Sequence, residues 1–140
     1  MEQLTQFIIN HWYLWLALVA ILALIFINEK QSQTSKLHEI SPQKAVELIN
    51  HEEAQVLDLR DKDAFKNGHI IAANRVNADE VTTEKLTNKS DKPIILVCGR
   101  GLQSAALAKH LRSQGTVNIF ALSGGLAAWQ AADLPLIKGK

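Results

Sequence analysis

The sequence predicts an α/β body built on a parallel sheet and preceded by one membrane-spanning helix. Three observations carry this. From residue 37 onward, short apolar runs alternate with stretches whose apolar residues recur at i, i+3 and i+4, the pattern of strands joined by crossover helices. Pro93-Ile94-Ile95-Leu96-Val97 is continuously apolar rather than alternating, as suits a strand buried on both faces. The run Trp12–Ile27, WYLWLALVAILALIFI, holds neither a charge nor a helix breaker.

The N-terminal run is the first element. Extended back to Phe7 it is 21 residues long, enough at about 1.5 Å per residue to cross a hydrocarbon core about 30 Å thick. Trp12, Tyr13 and Trp15 gather at one end, where amphipathic rings favour the membrane interface. A core helix would be shorter and show a polar stripe. A cleavable signal would carry Lys or Arg before the run and a small-x-small site after it, yet only Glu2 precedes it. Residues 1–27 are therefore expected to be an anchor that meets the lipid bilayer through residues 7–27. Lys30 and Lys36 follow the span and no Lys or Arg precedes it, so the positive-inside tendency places the body in the cytoplasm. Residues 28–36, NEKQSQTSK, hold no apolar side chain and read as a polar linker, which leaves 37–140 as one domain.

Within that domain Ser41-Pro42 is a helix start, a cap residue followed by proline at the first helical position, and Ala45, Leu48 and Ile49 give the helix its buried face. Val56–Leu59 is expected as a strand, then a short helix around Ala64-Phe65 closed by Asn67-Gly68. Asn74–Asn77 is a weaker strand, followed by a polar helix over Asp79–Leu86. After the strand at 93–97 come a helix over Ser104–Ser113, a strand over Val117–Leu122, and a last helix, Leu126–Ala132, opened by Gly124-Gly125 and stopped before Pro135.

Composition narrows the function. Lys and Arg total 15 against 14 Asp and Glu, a net charge of +1, without the basic stripe of a nucleic-acid binder. One cysteine cannot form an intrachain disulfide, and a lone thiol suits a reducing compartment. No His–Cys or carboxylate spacing suggests a metal. Cys98 immediately follows the buried strand, and in open α/β sheets reactive groups collect beyond the carboxyl ends of strands. Taken alone, a single cysteine there is more often a small apolar residue finishing a strand. Its surroundings favour chemistry instead. Gly99 and Gly101 let the loop curl with backbone N–H groups inward. A helix beginning near Ser104 turns its positive end to the site, and Arg100 adds a fixed charge. All three favour a charged sulfur.

The segment Cys98-Gly99-Arg100-Gly101-Leu102-Gln103-Ser104 resembles the rhodanese active-site loop, C-x-x-G-x-x-S. Val56-Leu57-Asp58-Leu59-Arg60 and Phe65-Lys66-Asn67-Gly68-His69-Ile70 resemble that family's D-x-R and F/Y-x-x-G-H-I. Leu122-Ser123-Gly124-Gly125 with Trp129, then Leu134-Pro135-Leu136, resemble its G-G-x-x-x-W and L-P ending. These motifs stand in order within residues 37–140, and the single N-terminal span makes the whole chain similar to the membrane-anchored rhodaneses of bacteria. The resemblance implies a five-stranded parallel sheet flanked by helices, at the cytoplasmic face of a bacterial inner membrane. It also implies a sulfurtransferase whose Cys98 takes a sulfane sulfur from a donor and passes it to a thiol, cyanide or protein acceptor, without a cofactor. Residues 99–104 would bind the substrate. Related phosphatase and arsenate-reductase domains carry a loop of the form C-x5-R, but the sixth residue after Cys98 is Ser104, which argues against phosphate. Many active members have basic residues where this chain has Gly99 and Gln103, so a dianionic donor is expected to bind weakly. That leaves a rival expectation, a low-activity interaction or scaffold module at the membrane.

Three supporting residues and one core tryptophan complete the expectation. Asp58 and Arg60, at a strand end, suit a structural ion pair. His69, in a turn, is expected to satisfy local backbone groups more than to transfer protons. Trp129 is expected in the core.

Overall fold

The computed structural model describes residues 1–36, 38–87 and 91–139 and divides into two compact units at the Lys36–Leu37 junction. The expected domain limits Leu37 and Lys140 themselves lie outside the described residues.

The first unit consists of helices α1 (Glu2–Asn10) and α2 (Trp12–Lys36). The apolar stretch expected to run unbroken from Phe7 is interrupted at His11, whose φ of −119° and ψ of 30° leave the helical region. The stretch long and apolar enough to cross a membrane is Trp12–Lys30. The interruption has a local cause. The His11 ring donates from Nδ1 to Phe7 O at 2.9 Å, the same carbonyl that accepts the His11 N–H at 3.1 Å, so side chain and backbone fold back together onto the preceding turn. Helix α2 continues through the polar stretch 28–36 to Lys36. It contains no Gly or Pro, and Glu, Lys and Gln are good helix formers.

The second unit contains β1 (Glu39–Ile40), α3 (Pro42–His51), β2 (Gln55–Asp58), α4 (Lys62–Asn67), β3 (Asn74–Arg75), a 3₁₀ turn (Ala78–Glu80), α5 (Thr83–Thr87), β4 (Ile94–Val97), α6 (Leu102–Ser113), β5 (Ile119–Leu122) and α7 (Gly125–Ala131). The five strands form one sheet in the order β1-β5-β4-β2-β3, and every pair is parallel. Successive residues of β4 point to opposite faces. Ile94, Leu96 and Cys98 join Leu57, Ala108 and Leu111 in one core layer, while Ile95 and Val97 join Val56, Leu126 and Trp129 in the other. Cys98 thus directly follows the central strand β4, on the face that α6 covers.

Local caps explain the helix starts. Ser41 Oγ accepts from Lys44 N at 3.2 Å and Asp61 Oδ1 from Ala64 N at 2.7 Å, each satisfying a first-turn donor. The polar helix expected over Asp79–Leu86 is split, because Thr82 Oγ1 accepts from Lys85 N at 3.4 Å and starts α5 afresh. The last helices and strands fall close to expectation, except that α6 begins at Leu102 rather than Ser104.

Candidate active site

Cys98 is 4% exposed, and its two polar ends cap two different helices. Gly101 has a φ of +92°, which turns the chain from the loop straight into α6 and leaves the first N–H groups of that helix without intrahelical acceptors. Its N-cap residue, Gly101, has no side chain to cap α6. The cysteine sulfur takes that place: Gly101 N donates to Sγ at 3.0 Å and Ser104 N at 3.4 Å. At the other end of the same residue, Leu126 N donates to Cys98 O at 2.9 Å, and Ala127 N donates to Gly99 O at 3.1 Å. The first turn of α7 therefore holds the loop by its carbonyls, turning them away from the sulfur.

The Ser104 hydroxyl is fully buried and stands 3.3 Å from Sγ and 3.3 Å from Gly101 O. With Cys98 as a thiol, S–H donates to Oγ and the hydroxyl donates to Gly101 O. With an anionic sulfur, the hydroxyl turns its proton to Sγ. One rotor thus serves both charge states. The backbone N–H groups of Gly99, Arg100, Leu102 and Gln103 donate to no acceptor among the described residues, so they remain available to a bound anion. The Arg100, Leu102 and Gln103 side chains are exposed.

Two open hollows of about 430 Å³ each flank the loop. One is lined by Gly99, Arg100, Asn67, Gln130 and Leu126. The other has Gln103 on its wall and is more acidic, with Asp61, Asp79 and Glu80 beside Arg75. Arg60 borders both.

Arg60 is nonetheless committed to structure. Its Nε lies 3.0 and 3.2 Å from the two Asp58 carboxylate oxygens, one terminal nitrogen donates to Oδ2 at 2.8 Å, and the same nitrogen donates to Gly68 O at 2.6 Å. Asp58 also accepts the Arg60 N–H at 3.0 Å. This fork ties β2 to the end of α4, next to the loop. Asp58 is 1% exposed and the Arg60 side chain 15%. Asp58→Ala is therefore expected to lower unfolding stability by about 2–3 kcal/mol, less than a fully buried pair would lose because Arg60 keeps some solvent and the Gly68 carbonyl. Urea denaturation of the soluble body measures this, and an unchanged midpoint would contradict the structural role.

The structure does not bring His69 to the loop. Its ring stacks on Phe65 at 3.9 Å between centroids and donates from Nδ1 to Phe65 O at 2.8 Å, while its backbone pairs with Ile137. Trp129 is buried, and its Nε1 donates to Pro135 O at 3.1 Å. The role that sequence reasoning missed is that of Gly125, read there as a helix opener and as part of the G-G-x-x-x-W motif. A Cβ on it would lie 2.4 Å from Cys98 O, 2.6 Å from Gly101 N and 2.8 Å from Arg100 N. The paired glycines before a helix were the available signal, but not the identity of the segment they touch.

Comparison with known proteins agrees with this geometry. A family model described as Rhodanese-like domain matches residues 41–132. The chain is 36% identical over 143 aligned residues to the uncharacterized protein YibN of Escherichia coli (strain K12), covering all of both. It is 31% identical over 93 residues to the thiosulfate sulfurtransferase GlpE of Pseudoalteromonas translucida, covering 66% of this chain and 89% of that protein. Among solved structures, a rhodanese-related protein from Thermoplasma volcanium is 26% identical, with a TM-score of 0.62 over 73% of this chain and 99% of that one.

Proposed function

Since the chain belongs to the rhodanese-like domain family, we propose that it is a membrane-anchored sulfurtransferase that carries a sulfane sulfur as a persulfide on Cys98. The seat of the sulfur supports this reading. Sγ faces Gly101 N, Ser104 N and the Ser104 hydroxyl, all able to donate to an anion, at the positive end of α6. The cycle is a double displacement. Cys98 thiolate attacks the outer sulfur of the donor, one S–S bond forms, and the donor's remaining part leaves with the electron pair of the bond that breaks. An acceptor nucleophile then takes that outer sulfur and Cys98 leaves as thiolate. Ser104 and the loop amides hold the negative charge at each stage, and neither step calls for a metal or organic cofactor.

Arg100 is the one basic residue of the loop, so a monoanionic persulfide on a small thiol or a protein suits the site better than a dianion. Steady-state thiocyanate formation from thiosulfate and cyanide tests the reading. Parallel double-reciprocal lines are expected at varied donor and acceptor, and Arg100→Ala should raise the KM for thiosulfate about tenfold, the worth of one charge-assisted contact. The single loop cation also favours the rival, a rhodanese-fold module that binds at the membrane without turnover; absence of thiocyanate above background with any donor would select it. The helix over Trp12–Lys30 would hold the domain at the cytoplasmic face of a bacterial inner membrane, with Lys30 and Lys36 inside. A reporter fused after Lys140 should then be active only in the cytoplasm, and activity confined to the periplasm would reverse the topology.

A further inference from the structure

We propose that α1 is not part of the membrane span but lies along the bilayer surface, its Leu4–Phe7–Ile8 face sunk among the lipid headgroups and His11 forming the elbow to α2. The inference rests on the anchor reading and goes beyond it.

Four observations converge. The apolar window that suffices to cross a bilayer starts at Trp12, so the nine residues of α1 are not needed for the crossing. Helical spacing puts Leu4, Phe7 and Ile8 on one face of α1 and Glu2, Gln6 and Asn10 on the other, with Gln3 at the margin and Ile9 as the one apolar residue on the polar side. By contrast α2 is apolar all round from Trp12 to Ile27. This change from mainly one-sided to all-round apolarity coincides with the break in the helix.

The elbow is itself a built structure. The His11 ring lies 4.4 Å from that of Phe7 and 5.9 Å from that of Tyr13, and its Nδ1 donates to Phe7 O. Beyond it, Leu14 N donates to His11 O at 2.9 Å, three residues back. Trp12, Tyr13 and Trp15 follow directly, and such rings settle at the headgroup level. If they mark the interface, the segment before them lies in or on it. Leu4, Phe7 and Ile8 are exposed and nothing in α1 is buried. A polar bilayer surface continuous with the span covers that apolar face while leaving the glutamines and asparagine in water.

The charge pattern commits the occupant further. Glu2 is the formally charged side chain of α1, and the helix holds no Lys or Arg. Its attachment therefore comes from apolar burial rather than attraction to anionic lipid, and it is expected to be the same on zwitterionic and anionic bilayers and insensitive to salt.

The test uses the full chain in nanodiscs, in a Cys98→Ser background, with nitroxide labels on single cysteines at Leu4, Phe7, Gln3, Gln6 and Leu22. Collision with oxygen reports lipid, and collision with a water-soluble nickel chelate reports solvent. The expected result is a several-fold higher oxygen-to-nickel ratio at Leu4 and Phe7 than at Gln3 and Gln6, unchanged when anionic lipid is added, with Leu22 deepest of all. Phe7→Glu should abolish the advantage at Leu4 and leave Leu22 as it was. Equal solvent access at all four α1 positions, with Leu22 still in lipid, would overturn the surface helix while keeping the anchor. Equally deep lipid exposure on both faces would show α1 to be part of the span and overturn it as well. A periodic signal that needs anionic lipid would overturn the apolar attachment. A water-exposed Leu22 would remove the anchor reading, and the surface helix with it.

Discussion

Gly125→Ala is expected to destabilise the domain by about 2–5 kcal/mol and to abolish sulfur loading in whatever fraction still folds. The added methyl would meet Cys98 O at 2.4 Å, Gly101 N at 2.6 Å and Arg100 N at 2.8 Å. All three are backbone atoms, so no side chain can swing aside. Relief requires either α7 to back away from the loop or the loop to open. The φ of +62° adds a left-handed penalty of about 1–2 kcal/mol for a residue with a Cβ, on top of the 1–3 kcal/mol typical of overpacking. Backing α7 away breaks the bonds from Leu126 N to Cys98 O and from Ala127 N to Gly99 O. Those bonds orient the carbonyls of the loop, so their loss disturbs the cradle on its other side. Gly99→Ala is the comparison, since a Cβ there meets nothing within 4 Å and its stability is expected to match the parent. Urea denaturation with a parallel loading assay on both variants separates the cases. A Gly125→Ala protein with the parental midpoint would contradict the account of how α7 holds the loop.

The parts of the molecule differ in how far sequence alone reveals them, and the difference is one of range. The reactive loop is legible because its strand, glycines, cysteine and serine are contiguous, from Ile94 to Ser104. Local chemistry at each position specifies the turn. Helix α3 is legible for the same reason, since Ser41 caps the turn it precedes. The support of the loop by α7 is not legible. It depends on where a distant helix lands, and paired glycines state only that something comes close. The first strand is missed because two residues, Glu39-Ile40, show no alternation; it forms by pairing with Ala121 and Leu122 of β5. The interruption at His11 escapes a hydropathy reading because Phe7, Ile8 and Ile9 are as apolar as the residues after it. Asp58 and Arg60 are legible as a pair, but that the same fork also holds the Gly68 carbonyl required the fold.

The family assignment stands on residues 41–132, but a fold does not by itself establish turnover. The sulfur of Cys98 occupies the position of a helix cap, with three donors around it, and the loop offers further amides to whatever anion it binds. Replacing that sulfur by oxygen leaves the donors in place but removes the atom able to form and release an S–S bond. Cys98→Ser should therefore fold as the parent does and transfer nothing, a loss of activity to background.

The most direct measurement is the intact mass of the full chain, solubilised in detergent, after exposure to a sulfane donor and removal of the excess. The account predicts an increment of one sulfur atom, located on Cys98, discharged by cyanide with release of thiocyanate, and absent from Cys98→Ser. A parent chain whose mass is unchanged by thiosulfate, by a small-thiol persulfide and by a protein persulfide alike would contradict it.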